Sequence, residues 1–204
     1  METRMIHSPE FRAEENENKK TIAGYAAMFN SWSSDLGGFR ETIQPGAFKR
    51  TLEEQNEEVR FFVNHRMEGL ALGRSPKTLR VWEDDLGLAF ELDVQDSPAG
   101  QNLYQAVKRG DINQMSFGFE IKSYELREEE DEVQQILKDV ELFEISAVNY
   151  PAYEATKVSA RTKEQVEEFK KEKEEPQEEE KTNLLGLYEK LQKQKEVERK
   201  IKDS

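Results

Sequence analysis

The stretch NQMSFGFE, residues 113–120, decides how the rest of the chain is read. Met115, Phe117 and Phe119 alternate along it with Ser116, Gly118 and Glu120. Successive side chains of a strand point to opposite faces, so the apolar trio is expected to fill a core while Ser116 looks away from it. A small hydroxyl beside a glycine, on the polar face of so apolar a strand, has two readings. It is a solvent-facing serine, or it is a nucleophile on a rigid platform.

A serine hydroxyl is a poor nucleophile until a neighbouring base takes its proton, and histidine is the natural base near neutral pH. The chain has two histidines. His7 lies in the polar N-terminus, so His65, at the end of the strand-like VRFFVNH (59–65), is the candidate base. Both residues sit in or at the end of strands, and neighbouring strands lie about 4.8 Å apart, which allows such a pair to meet. A third member would orient the imidazole and stabilise its protonated form. ELFEISAVNYP (141–151) places Glu144 inside an otherwise apolar strand, where a carboxylate needs a partner. Glu144 is the candidate acid, with Glu141 and Asp139 as fallbacks. A pairing of Glu144 with Arg60 or Arg74, or plain exposure, is the structural alternative.

Around these segments, strand patterns alternate with turn signals. TIAGYAAMFN (21–30) is strand with a glycine that suggests a bend or bulge, and FRETI (39–43) is a short strand. QPGAFKRTLEEQ (44–55) predicts a helical run with Phe48 and Leu52 four apart. LALGRS, TLRVWED and LGLAFELDV are three further strands, with DDLG (84–87) as the turn between the last two. SPAGQNLYQAVKRGD (97–111) predicts a helix capped by Ser97, striped by Leu103, Ala106 and Val107, and ended by Gly110. VQQILKDVELFEISAVN (133–149) is the last long strand or strand pair, and YPAYEATKV (150–158) a closing loop. About seven mostly consecutive strands and two helices predict an α+β fold built on a mostly antiparallel β-barrel with flanking helices.

Three regions are expected: a flexible N-terminal segment at 1–20, in which RMIHSPEFRAE could form an edge strand, a folded domain at 21–160, and a charged tail at 161–204. The tail holds 12 Lys or Arg and 13 Asp or Glu among 44 residues, too polar a mixture to bury a core of its own. NLLGLYEKLQKQKEVERKI (183–201) spaces Leu184, Leu187, Tyr188 and Leu191 helically, and such an amphipathic helix could dock on a partner or on a second copy of the chain. The net charge of −13 over 204 residues argues against a nucleic-acid binder. The chain has no cysteine, which rules out disulfides, thiolate metal sites and a cysteine nucleophile. Two histidines make a histidine-rich metal site a poor expectation, and no metal or other cofactor is called for. No apolar run approaches the roughly 20 residues that span a bilayer, and the N-terminus lacks the apolar segment of a secretory signal.

Taken in order, IAGYAAMFN, GGFRETIQPGAFKRTL, VRFFVNH, LGR, TLRVWEDDLGLAFELDVQDSPAGQNLYQAVKRGDINQMSFGFE and FEISAVNYPAY resemble the prohead (procapsid) maturation serine proteases of tailed bacteriophages, a family distantly related to the herpesvirus assemblin fold. The similarity runs through about residues 21–155, and the NH and MSFGF motifs are specific together. The resemblance implies a herpesvirus-protease-like fold, with His65 as general base, Ser116 as nucleophile and Glu144 as the acid where herpesvirus relatives use a second histidine. Arg66 departs from the family, which often has an acidic residue after the histidine. The resemblance further implies a serine endopeptidase that cleaves the scaffold or the major capsid protein, and often itself, inside the assembling procapsid in the host bacterial cytoplasm. It leaves the oxyanion hole open: Gly118 could make room for a substrate backbone, and N–H groups after Val148 are equally placed as donors. The rival reading is a non-catalytic capsid assembly or scaffolding protein, which has no need of both His65 and Ser116. An esterase-like hydrolase is disfavoured by the lack of a G-x-S-x-G elbow and of alternating βα units.

Overall fold

A computed structural model describes residues 1–7, 10–16, 19–54, 58–129, 132–149 and 160–174. The chain divides into two units, Met1–Lys163 and Glu164–Ser204. Among its described residues the first carries ten strands: β1 (Glu2–His7), β2 (Arg12–Asn16), β3 (Lys19–Met28), β4 (Phe39–Ile43), β5 (Arg60–Val63), β6 (Gly73–Arg74), β7 (Leu79–Glu83), β8 (Gly87–Asp93), β9 (Gln114–Glu129) and β10 (Glu132–Val148). Helix α1 spans Pro98–Arg109, and α2 spans Ala160–Glu174 across the boundary of the two units. Of the second unit only residues up to 174, the end of α2, are described; the leucine pattern at 184–191 and the loop at 150–158 lie outside the described residues.

One sheet has the order β1-β9-β10-β5-β6, with β4 also on β10; the other has the order β2-β3-β8-β7. The expected barrel is therefore corrected to two sheets, neither of them closed among the described residues. The first sheet runs out at β6, a strand of only two residues, which offers little edge for closure. The mostly antiparallel sense holds, and two pairings depart from it. β9 and β10 pair antiparallel as a long hairpin, but β4 and β5 run parallel to β10, at Val133–Leu137 and Glu144–Ala147 respectively. No tight turn joins either of them to β10, so nothing imposes the antiparallel sense.

Within segment 1–20, where RMIHSPEFRAE is the expected edge strand, the chain forms the edge strands β1 and β2. β1 pairs with β9 over six residues, and Arg4 turns from a surface charge into a buried one because Glu2 and Glu41 both meet its guanidinium. The helical run after Pro45 is a turn that ends in a single π-helical turn at Arg50–Glu54. Helix α1 forms as its caps dictate: Ser97 Oγ accepts from the Gly100 N–H at 3.2 Å, and Gly110 adopts φ 80° at the C-terminus. Its Leu103, Tyr104 and Val107 join one core with Ile22 and Phe90 of one sheet, Phe61, Phe117 and Phe119 of the other, and Phe48 from the turn between β4 and β5. Phe117 and Phe119 stack at 4.9 Å between ring centroids, and Phe48 meets Phe117 edge-on at 5.8 Å. That apolar floor is the underside of the platform on which Ser116 stands. Among the described residues no helix is long and apolar enough to cross a membrane.

Candidate active site

Three neighbouring strands build the site. Ser116 lies on β9, opposite Ser146 of β10, and Gly118 lies opposite Glu144. On the far edge of β10, Ser146 pairs with Phe62 and Ala147 with Val63 of β5. His65 follows β5, so β10 stands between histidine and serine, and the simple picture of two adjacent strands is too short by one strand, or about 5 Å. The chain closes that gap with a hook. Asn64 and His65 both adopt left-handed backbone conformations, φ 53° and 55°, a region where Asn and His are among the tolerated side chains. Asn64 is anchored by its N–H to Ala147 O at 2.9 Å and by its Oδ1, which accepts from the Asn149 N–H at 3.1 Å. The hook throws the imidazole back over β10.

The result is an unbroken chain of contacts. His65 Nε2 lies 2.7 Å from Ser116 Oγ, and Nδ1 lies 2.6 Å from Glu144 Oε1. A carboxylate only accepts, so Nδ1 carries its hydrogen toward Glu144, and a neutral ring then presents the Nε2 lone pair to the serine. Glu144 and Ser116 are wholly buried, whereas the imidazole keeps 18% of its surface exposed. The apolar surroundings strengthen each of these polar contacts and make each of them costly to lose. Ser116 Oγ also lies 2.8 Å from the backbone carbonyl oxygen of Arg4 in β1.

Two neighbours hold Glu144 in place. Ser146 Oγ donates to Oε2 at 2.6 Å while accepting the His65 backbone N–H at 3.3 Å, so one hydroxyl ties the acid to the base. Gly118 gives the carboxylate its space: a Cβ there would lie 2.5 Å from Glu144 Oε1, 3.2 Å from its Cδ and 2.9 Å from Met1 Sδ. The expected room for substrate above Gly118 is thus filled by the Glu144 carboxylate. Neither neighbour was singled out for this role from sequence. Ser146, two residues from Glu144 on one strand face, carried the only available signal. The fallback acids are engaged elsewhere, Glu141 with Lys122 and Asp139 with Arg50 at 2.7 Å. Arg60 and Arg74 both pair with Glu58 rather than with Glu144. His7 lies in β1 opposite Gln114. Among the described residues no group of three or more acidic or imidazole side chains is placed to hold a metal ion.

Residues 7–172 match the family model of the caudovirus prohead serine proteases. The chain belongs to that family. It is also 31% identical over 141 residues to the prohead protease of Enterobacteria phage HK97, a match that covers 67% of this chain. The chain spans 58% of the length of that curated relative. No solved structure matches it to a significant degree. In this member of the prohead protease family, the hydroxyl, imidazole and carboxylate all lie within the matched residues.

Proposed function

We propose that the chain is a serine endopeptidase that processes the major capsid protein, the scaffold, or both inside the assembling phage procapsid, and that it cuts itself as well. The observation that carries this is the Ser116–His65–Glu144 chain at 2.7 and 2.6 Å, in a member of the prohead serine protease family. Ser116 Oγ attacks the scissile carbonyl carbon as His65 Nε2 takes its proton. The tetrahedral adduct expels the amine, which receives that proton, and leaves an acyl-serine. Water, deprotonated by His65 in turn, releases the acid and restores the hydroxyl. Glu144 holds the Nδ1 hydrogen and stabilises the imidazolium formed in both halves of the reaction. Residues 161–204 are read as a charged extension of this protease, and loss of a C-terminal fragment during assembly would mark it as one of the enzyme's own substrates.

The test is labelling with a fluorophosphonate, followed by peptide mass mapping, alongside processing of the co-expressed capsid protein of the same phage. An adduct on Ser116 and loss of capsid processing on labelling are expected. Processing that survives full labelling would remove the nucleophile from the reading and favour the assembly-protein alternative.

Two substitutions probe the support of the acid. Ser146→Ala removes a hydrogen bond to a buried carboxylate and one from the histidine backbone. It is expected to lower kcat about 10- to 100-fold with KM little changed, since such bonds contribute about 1.5–3 kcal/mol each. Gly118→Ala puts a methyl into the space of Oε1. Glu144 must shift, and kcat/KM is expected to fall about 100-fold for a cost in stability of about 1–3 kcal/mol. Steady-state kinetics beside thermal melting separate the two effects; a fully active Gly118→Ala would show that the carboxylate position is not critical.

A further inference from the structure

β1 is the edge strand of the first sheet, and its backbone lies against the very residues that carry the serine: Arg4 is opposite Phe117, and Met5 is opposite Ser116. Three features of this strand bear on the site. Its Arg4 carbonyl oxygen sits 2.8 Å from Ser116 Oγ. Its Arg4 side chain is buried in an acidic pocket, with Nε 2.6 Å from Glu41 Oε1, Nη2 2.7 Å from Glu41 Oε2, and the guanidinium 5.2 Å above the Phe119 ring. Within β1 itself Glu2 closes the cluster, 2.6 Å from Nη2 and 2.6 Å from Thr162 Oγ1.

An extended peptide added to a sheet edge is a common mode of recognition, because main-chain hydrogen bonds supply affinity and side-chain pockets supply selectivity. With β1 gone, the edge of β9 from Gln114 to Phe119 becomes free for such a peptide. Glu41 would stay behind on β4 beside Phe119, in a place too buried to leave a carboxylate unpaired at low cost. Burial pushes the Glu41 carboxyl up against the pull of Arg4, which describes a group that needs a cation. A second buried group points the same way. Gln135 is opposite Glu41 in the register, is wholly buried, and has neither its amide oxygen nor its nitrogen hydrogen-bonded.

We propose that β1 is a resident occupant of the substrate track: an extended polypeptide binds along β9 in its place, with a lysine or arginine side chain against Glu41 and that residue's carbonyl at Ser116. This rests on Ser116 being the nucleophile. Selectivity for a basic residue on the N-terminal side of the scissile bond follows from the pocket that Arg4 now fills. Latency follows from proton placement. A serine hydroxyl has one hydrogen, and the Arg4 carbonyl oxygen, which can only accept, competes with His65 Nε2 for it. While β1 is seated, the serine is covered and the base has a competitor for its proton.

The test uses the full-length protein and a set of unstructured peptides that differ only in the residue before the cut: Arg, Lys, Gln, Leu or Glu. Arg and Lys peptides are expected to be cleaved about 10- to 100-fold faster in kcat/KM than the others, the worth of a buried charge-assisted bond. In Glu41→Gln that preference should collapse toward unity. In Arg4→Gln it should persist, while fluorophosphonate labelling of Ser116 speeds up because β1 is held less firmly. The preference is a ratio within one protein, so partial unfolding of a variant does not disturb it. Labelling at Ser116 without a basic preference, or a preference that survives Glu41→Gln, overturns the subsite alone. Absence of labelling at Ser116 in the native chain and in Arg4→Gln alike overturns the nucleophile and the subsite together.

Discussion

Ser116→Ala is expected to lower proteolysis by about a millionfold, the scale on which removing the serine of such a triad acts. The fold should survive. Ser116 contributes a hydroxyl to the polar face of β9, whereas the strand is held by Met115, Phe117 and Phe119, all wholly buried on the other face. Loss of the hydroxyl leaves the Arg4 carbonyl and His65 Nε2 one partner fewer, a cost of about 1–3 kcal/mol. The measurement is single-turnover cleavage of a fluorogenic peptide or of the capsid protein, beside a melting curve. Residual cleavage within tenfold of the parent would place the nucleophile elsewhere.

Glu144→Gln is expected to cost about four orders of magnitude in kcat, as the corresponding carboxylate-to-amide change does in serine triads. The amide keeps the size of the side chain and its fit against Gly118, but it brings no negative charge to stabilise the imidazolium. Its NH2 group must also lie on one of two oxygen positions that now receive hydrogens from His65 and Ser146. Glu141→Gln supplies the contrast. Glu141 pairs with Lys122 in a half-buried position away from His65, and its loss is expected to leave kcat within about twofold, as for most partly exposed ion pairs. Comparable losses in the two variants would show that no single carboxylate serves the histidine.

The strands were legible because the alternation of Met115, Phe117 and Phe119, and the caps of α1, are local signals. The pairing partners were not. The parallel placement of β4 and β5 on β10 depends on contacts between residues about 90 apart, which no window of sequence reports. The acid shows the limit most clearly. Strict alternation puts Leu142, Glu144 and Ser146 on one face, yet Leu142 is core, opposite Phe119, while Glu144 faces the histidine. A register shift at Phe143 separates them, and bulges of this kind re-aim side chains beside active sites. The hook at Asn64 and His65 was equally silent, because neither residue announces a left-handed conformation as a glycine would. Arg4 in the polar N-terminus read as one more surface charge; only the fold supplies Glu41 as its partner.

β10 has a further consequence for how the enzyme comes into being. It carries Glu144, separates the serine strand from the histidine strand, and is the last strand of its sheet among the described residues. Ser116 is 51 residues from His65, and His65 is 79 residues from Glu144, so every contact of the triad is long-range. A nascent chain that has exposed His65 and Ser116 still has no strand to bring them together. If these three groups are the catalytic triad proposed above, activity begins only after residue 148 has emerged and the slow, non-local closure of the sheet is complete. On that reading the order of strands acts as a timer, holding the three groups apart until the sheet is complete.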